Sequence, residues 1–121
     1  MLLDLLGSPD PTFYNFSLKM AHWHIELFHI EQALRRSRYW NGSTRSKAYF
    51  QAQFMNSNIS DDQIPFLQRN VQVIHMIDYP FPTVWHTVRD IEENLDYDSI
   101  YNLSRIVRIF VAKYIHLPFL H

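Results

Sequence analysis

With 121 residues, 47% hydrophobic and 16% aromatic, the chain has material for a packed core and the length of one small domain or of a piece of a larger one. Its 11 basic and 12 acidic side chains nearly cancel, so nothing draws polyanions and nucleic acid is excluded as the expected partner. The absence of cysteine excludes a disulfide framework and thiolate zinc sites, and two glycines, Gly7 and Gly42, are too few for a glycine-rich phosphate loop.

The first residues, Met1-Leu2-Leu3-Asp4-Leu5-Leu6-Gly7, carry an early charge and no basic stretch, so they do not read as a signal peptide. Leu2 to Leu6 reads as an interior strand closed by Gly7, and Ser8-Pro9-Asp10-Pro11 as a loop. A strand that begins this abruptly suggests a chain that starts in the middle of a fold. Asp4 breaks the apolar run. It is either a strand-end carboxylate facing solvent or a site residue, because a carboxylate in an apolar strand is costly unless paired.

Leu18 to Arg36 reads as a helix. Met20, Trp23, Leu27, Ile30 and Leu34 form one apolar stripe, and Glu31 precedes Arg35 in the favourable order for a helical ion pair. Of His22, His24 and His29 no two stand four apart, so they read as surface or boundary histidines rather than a metal clip. Residues 37–48 are polar and irregular, with Asn41-Gly42 as a turn, and a short strand is expected within 48–54. Asp61 or Asp62 can cap a helical turn through Gln68, and Asn70 fits a left-handed stop.

Val71 to Ile77 is β-branched and apolar and reads as a strand. Pro80 and Pro82 then stiffen a non-helical loop. Asp96 or Asp98 starts the last helix, with Ile100, Leu103, Val107, Phe110, Val111 and Tyr114 on one face. The final apolar stretch, Ile106 to Leu120, is interrupted by Arg108, Lys113 and His116 and is too short to span a membrane. The expected class is α/β: a partial mixed β-sheet with flanking helices, whose sites lie in the loops after strands.

Phe81-Pro82-Thr83-Val84-Trp85-His86-Thr87 is the richest segment for chemistry, because a stiff loop can aim a metal ligand. His86 could bind zinc, and Asp4, Asp61 and Asp62 could move protons if the fold gathers them. No second or third ligand stands at a recognisable spacing. From spacing alone a lone histidine is more often structural.

Leu2-Leu3-Asp4-Leu5-Leu6-Gly7, Asp61-Asp62-Gln63-Ile64-Pro65-Phe66-Leu67, Phe81-Pro82-Thr83-Val84-Trp85-His86-Thr87 and Glu92-Glu93-Asn94-Leu95-Asp96 follow one another in this order. Together with Pro11-Thr12-Phe13-Tyr14, Trp23, Leu27, Ile30-Glu31 and Leu34, they resemble the C-terminal part of the animal glutaminyl-peptide cyclotransferases, the glutaminyl cyclases. The resemblance runs essentially end to end. It implies a single-zinc transferase on the zinc-aminopeptidase fold that turns N-terminal glutamine of peptides and proteins into pyroglutamate, with ammonia leaving. By the same resemblance His86 matches a zinc ligand. Asp4 and Asp61 match a proton-relay pair, and Ile59, Phe81 and Trp85 match the substrate pocket.

The resemblance also implies that residues 1–121 are the C-terminal portion of one catalytic domain. Two further zinc ligands and the general acid/base then lie upstream of Met1, and the isolated chain is expected to be inactive. Ser60, Gln63 and Asn70 depart from the family pattern, which favours glutamine, histidine and glycine there. Two other readings stand beside this one: a zinc aminopeptidase fragment, and a non-catalytic interaction protein that keeps half of the fold. N-x-Ser triplets at Asn15, Asn41, Asn58 and Asn102 fit a secretory protein, secreted or held in the Golgi lumen.

Overall fold

Short parallel strand pairs organise the chain. The computed structural model describes residues 1–56 and 59–118. Strand β1 (Leu2–Asp4) pairs in parallel with β4 (His75–Ile77), placing Leu2 beside His75, Leu3 beside Met76 and Asp4 beside Ile77. Strand β2 (Phe13–Asn15) pairs in parallel with β3 (Phe50–Phe54), with a register irregularity between Phe13 and Asn15. Two bonds tie the pairs together: Tyr79 N–H donates to the Thr12 carbonyl at 3.0 Å, and Thr12 N–H donates to Asp78 Oδ1 at 2.9 Å. The α/β class with a partial sheet is therefore as expected, and both pairings among the described residues are parallel.

Helix α1 (Ala21–Arg35) follows a 3-10 turn over Leu18–Met20. Its stripe is buried as its spacing predicts, with Leu27, Ile30 and Leu34 in the core and Trp23 packed against it. Helix α3 (Tyr97–Tyr114) starts at Asp96, whose Oδ2 accepts from Ser99 N–H at 3.0 Å and satisfies one of the orphan donors of the first turn. One core joins these helices to Phe13, Phe50 and Met76, so α1 and α3 cover the face of β4 that carries Met76. Side chains alternate along a strand, so His75 faces the other side. That opposite face is where α2 (Ile64–Leu67) and the residues before it run.

Glu31 and Arg35 form the expected pair at 2.8 Å, but deep inside rather than on a solvated face. Glu31 also accepts from Tyr49 N–H at 2.7 Å and Phe50 N–H at 3.0 Å, while Arg35 donates to the carbonyls of Ser46 and Lys47. The pair thus pins the approach to β3 onto α1. Gly7 ends the β1 loop at φ +118, where an added Cβ would meet Leu95 Cδ2 at 2.7 Å. Its carbonyl accepts from Asp96 N–H at 2.8 Å, which sets the start of α3 against β1.

Several sequence expectations are corrected. The strand expected over Val71–Ile77 is regular only from His75. A strand needs a partner, and β1 offers three residues plus one bond, from Leu2 N–H to the Ile74 carbonyl at 2.8 Å. The face of α3 is rotated: Ile106, Asn102 and Ser99 are buried, whereas Val111 and Tyr114 are exposed. His24 is not a boundary residue. It is buried and its Nε2–H donates to the Gln51 carbonyl at 2.6 Å. Neither Asp61 nor Asp62 caps α2 through its side chain; the Asp61 carbonyl accepts from Ile64 N–H instead. Asn70 does adopt the left-handed stop, at φ 60. The triplet at Asn58 and the end of the stretch at Leu120 lie outside the described residues.

Candidate functional site

Asp4 ends β1, and the chain turns at once: Leu5 takes φ 52 and its N–H donates to Asp4 Oδ1 at 2.9 Å. That bond fixes one carboxylate oxygen of Asp4 along its own backbone. Asp61 does the same in the segment leading to α2, where its Oδ1 accepts from Asp62 N–H at 2.8 Å. The two carboxyl groups meet because the 59–67 segment crosses the face of the sheet on which Asp4 lies. His75, two positions from the register partner of Asp4, joins them from β4. One ligand atom from each of Asp4, Asp61 and His75 lies within 4.8 Å of the others.

The electrostatics separate the two aspartates. Burial, a proton shared with Asp61 and the Asp61 charge together hold Asp4 above the ordinary carboxylate value. The Asp62 N–H bond, followed by the proton shared with Asp4, holds Asp61 below it. Asp4 is thus the more readily protonated of the two and Asp61 the more readily ionised. His75 Nε2 stands 3.3 Å from Asp61 Oδ2, and both atoms are buried without a directed hydrogen bond. Such an arrangement can hold a proton, pass it across the pair, or present an oxygen–oxygen–nitrogen donor set.

Beside the pair opens a cleft of about 590 Å³ lined by Asp4, Leu5, Ile59, Ser60, Asp61, Ile77, Phe81, Trp85 and His86. The six residues singled out by the family resemblance, Asp4, Ile59, Asp61, Phe81, Trp85 and His86, therefore border one space. Phe81 packs against Trp85 edge to face with centroids 4.8 Å apart, and Trp85 stacks on the His86 ring at 3.9 Å. His86 sits at φ 56, a conformation that a non-glycine residue adopts at a cost of about 1–3 kcal/mol. The proline loop thus turns the histidine and tryptophan rings onto one another at the cleft wall. Asp62, the other acidic candidate, is exposed and does not line the cleft. Among the described residues His86 belongs to no group of three potential metal ligands.

His75 was missed from sequence. It lies in an apolar run read as plain strand, yet the argument applied to Asp4 holds for it too: a polar residue inside an apolar strand asks for a partner.

The profile of peptidase family M28 matches residues 1–111. The chain belongs to that family. Glutaminyl-peptide cyclotransferase of Bos taurus is 46% identical over 117 residues, 97% of this M28 chain and 32% of the bovine protein. The Dictyostelium discoideum protein of the same name is 46% identical over 115 residues, 95% of this chain and 31% of its own length. The crystal structure of Macrostomum lignano glutaminyl cyclase superposes with a TM-score of 0.90 at 32% identity, covering 98% of this chain and 40% of that one. The M28 chain therefore spans about a third of the length of the curated relatives it matches. The resemblance read from its motifs is to the same proteins.

Proposed function

We propose that this chain is the C-terminal part of a zinc-dependent glutaminyl-peptide cyclotransferase that converts N-terminal glutamine of peptides and proteins to pyroglutamate. The observation that supports it most is the single cleft. Residues from three separate segments, chosen by their match to one family, border the same space, the Asp4 and Asp61 carboxyl groups among them.

In this reading Ile59, Phe81 and Trp85 wall the space for the glutamine side chain and exclude water from it. The α-amine forms a bond to the side-chain carbonyl carbon, and the bond from that carbon to the amide nitrogen breaks. The proton released by the amine must reach the departing nitrogen, which leaves as ammonia. Asp61 is the more readily ionised of the two and Asp4 the more readily protonated, so the pair can take one proton and give one without a net change. Zinc would polarise the carbonyl. His86 suits one coordination position, but the described residues do not complete a zinc site beside it, since a tetrahedral site needs further protein ligands. This chain by itself is then inactive. The N-x-Ser triplets support passage through the secretory pathway, to the Golgi lumen or the outside of the cell.

The decisive comparison uses the complete protein. His86→Ala should lose zinc and turnover together, whereas Asp61→Asn should keep zinc and lose rate. Equal zinc content in both variants would remove His86 from the ligand set. Chelator-sensitive turnover of an N-terminal glutamine peptide by the 121-residue chain alone would overturn the inactivity of the part.

A further inference from the structure

The fold treats the three N-x-Ser triplets among its described residues very differently. Asn102 is 1% exposed, and its amide clamps the backbone of Asn41: Oδ1 accepts from Asn41 N–H at 2.9 Å and Nδ2 donates to the Asn41 carbonyl at 2.8 Å. Asn15 is 6% exposed, lies in β2, and its Oδ1 accepts from Ser17 N–H at 3.1 Å. Neither amide nitrogen can carry a sugar while its residue keeps this place.

Asn41 is the reverse case. Its two backbone groups are satisfied by Asn102, so its side chain is spared for the surface. Gly42, Ser43, Thr44 and Arg45 continue as an exposed loop. Asn41 Oδ1 accepts from Arg105 Nη1 at 2.5 Å, a bond that an N-linked amide retains because the oxygen is untouched. Asn41 is half-buried, and its Nδ2 has one weak contact, to Asp98 Oδ1 at 3.4 Å. Of the three described triplet asparagines, Asn41 is the one that the fold does not bury.

We propose that Asn41 is an N-glycosylation site, and that Asn15 and Asn102 stay bare in every folded molecule. The inference rests on the secretory passage proposed above. The donor is a lipid pyrophosphate-linked oligosaccharide. A bond forms between Asn41 Nδ2 and the anomeric carbon of the first sugar, the bond from that carbon to pyrophosphate oxygen breaks, and Nδ2 yields one proton to the transferase. The lipid pyrophosphate leaves. Ser43 supplies the hydroxyl that the acceptor triplet requires.

The test expresses the full chain behind a cleavable secretion leader, with Asn58→Gln so that the remaining triplet does not confuse the reading. Microsome-coupled translation reads the acceptor directly, and glycosidase release in heavy-oxygen water maps occupied asparagines in secreted material. One glycan is expected, on Asn41, and Asn41→Gln should remove it whole. A bare Asn41 in microsomes, or a glycan on Asn15 or Asn102 in secreted folded chain, overturns the proposal. Because the leader supplies the compartment, a bare Asn41 tells against this site and not against where the natural protein resides.

Discussion

His75 Nε2 lies 3.3 Å from Asp61 Oδ2, buried with it, yet no hydrogen bond joins them. The two atoms stand within ion-pair distance of one another, so His75 contacts the carboxyl pair through Asp61. Active-site hydrogen bonds are often long or poorly aligned before substrate arrives. His75→Phe in the complete enzyme is expected to lower turnover about 10-fold or more while leaving zinc content unchanged, since His75 touches the relay and not His86. Loss of metal in His75→Phe would move His75 from the relay to the metal site.

The directions of the two aspartates predict opposite costs for one substitution. Asp4 binds its proton more tightly in the fold than in the unfolded chain, so its contribution to stability falls as pH rises from 3.8 through its raised value. Asp4→Asn imitates the protonated form and should flatten that fall, although Asp78, also raised by burial, keeps part of it. Asp61→Asn removes the charge the pair needs and should cut kcat by about 10²–10⁴. Unfolding midpoints from pH 4 to 7 and single-substrate kinetics would check both. A steeper pH dependence in Asp4→Asn would reverse the assignment of the proton.

His24 sets a second pH dependence with the opposite sign. Burial holds it below the ordinary value of 6.5, and the bond to the Gln51 carbonyl offsets this only in part. The unfolded chain therefore binds the proton first, and stability is lost as pH falls from 6.5 through the lowered value. His24→Gln keeps a donor for Gln51 and does not titrate. Its thermal midpoint is expected to fall less on acidification than that of the parent chain, and an unchanged slope would rule out His24 as the source.

Glu31→Ala should cost about 3–5 kcal/mol, because it strands a buried Arg35 and leaves two backbone donors of β3 and its approach without a partner. Glu31→Gln should cost less, since its carbonyl still accepts one of them. Denaturant midpoints of the complete protein would show it. A change below about 1 kcal/mol would mean that the approach to β3 is held by Trp40 and Tyr49, which flank the Arg35 guanidinium, rather than by the ion pair.

The isolated chain is expected to associate. Leu3 is 46% exposed in a strand whose sequence reads as interior, and β1 pairs only with β4 among the described residues. An open apolar edge invites another strand. Amide exchange should be fast at Leu2 to Asp4 in dilute monomer. Slow, cooperative protection there would show that the partial sheet stands by itself.

Features that depend on near neighbours in the chain were legible from sequence. The α1 stripe, the Asp96 cap and the Asn70 stop each follow from the side chain and its immediate surroundings. The motif segments were legible for a related reason: each is contiguous, and their order survives folding. What failed needed knowledge of a partner. The strand before His75 read as long because β-branched residues favour extension, but extension becomes a strand only where β1 reaches. The α3 face was placed by apolar side chains alone, and so missed the side on which Ser99 and Asn102 are buried by hydrogen bonds rather than by hydrophobicity.

The amino-acid sequence by itself determined the family resemblance, the two long helices and six of the residues that border the cleft. Only the tertiary structure decided that ligand atoms of Asp4, Asp61 and His75 come within 4.8 Å of one another, that Glu31 and His24 are interior, and that of the three described asparagine triplets one is open while two are closed. The physical reason is sequence separation. Periodicity and capping report interactions within a few residues, whereas pKa, burial and access are set by whichever distant segment packs alongside, and that is settled only when the 59–67 segment crosses the sheet and Asn102 grips the backbone of Asn41.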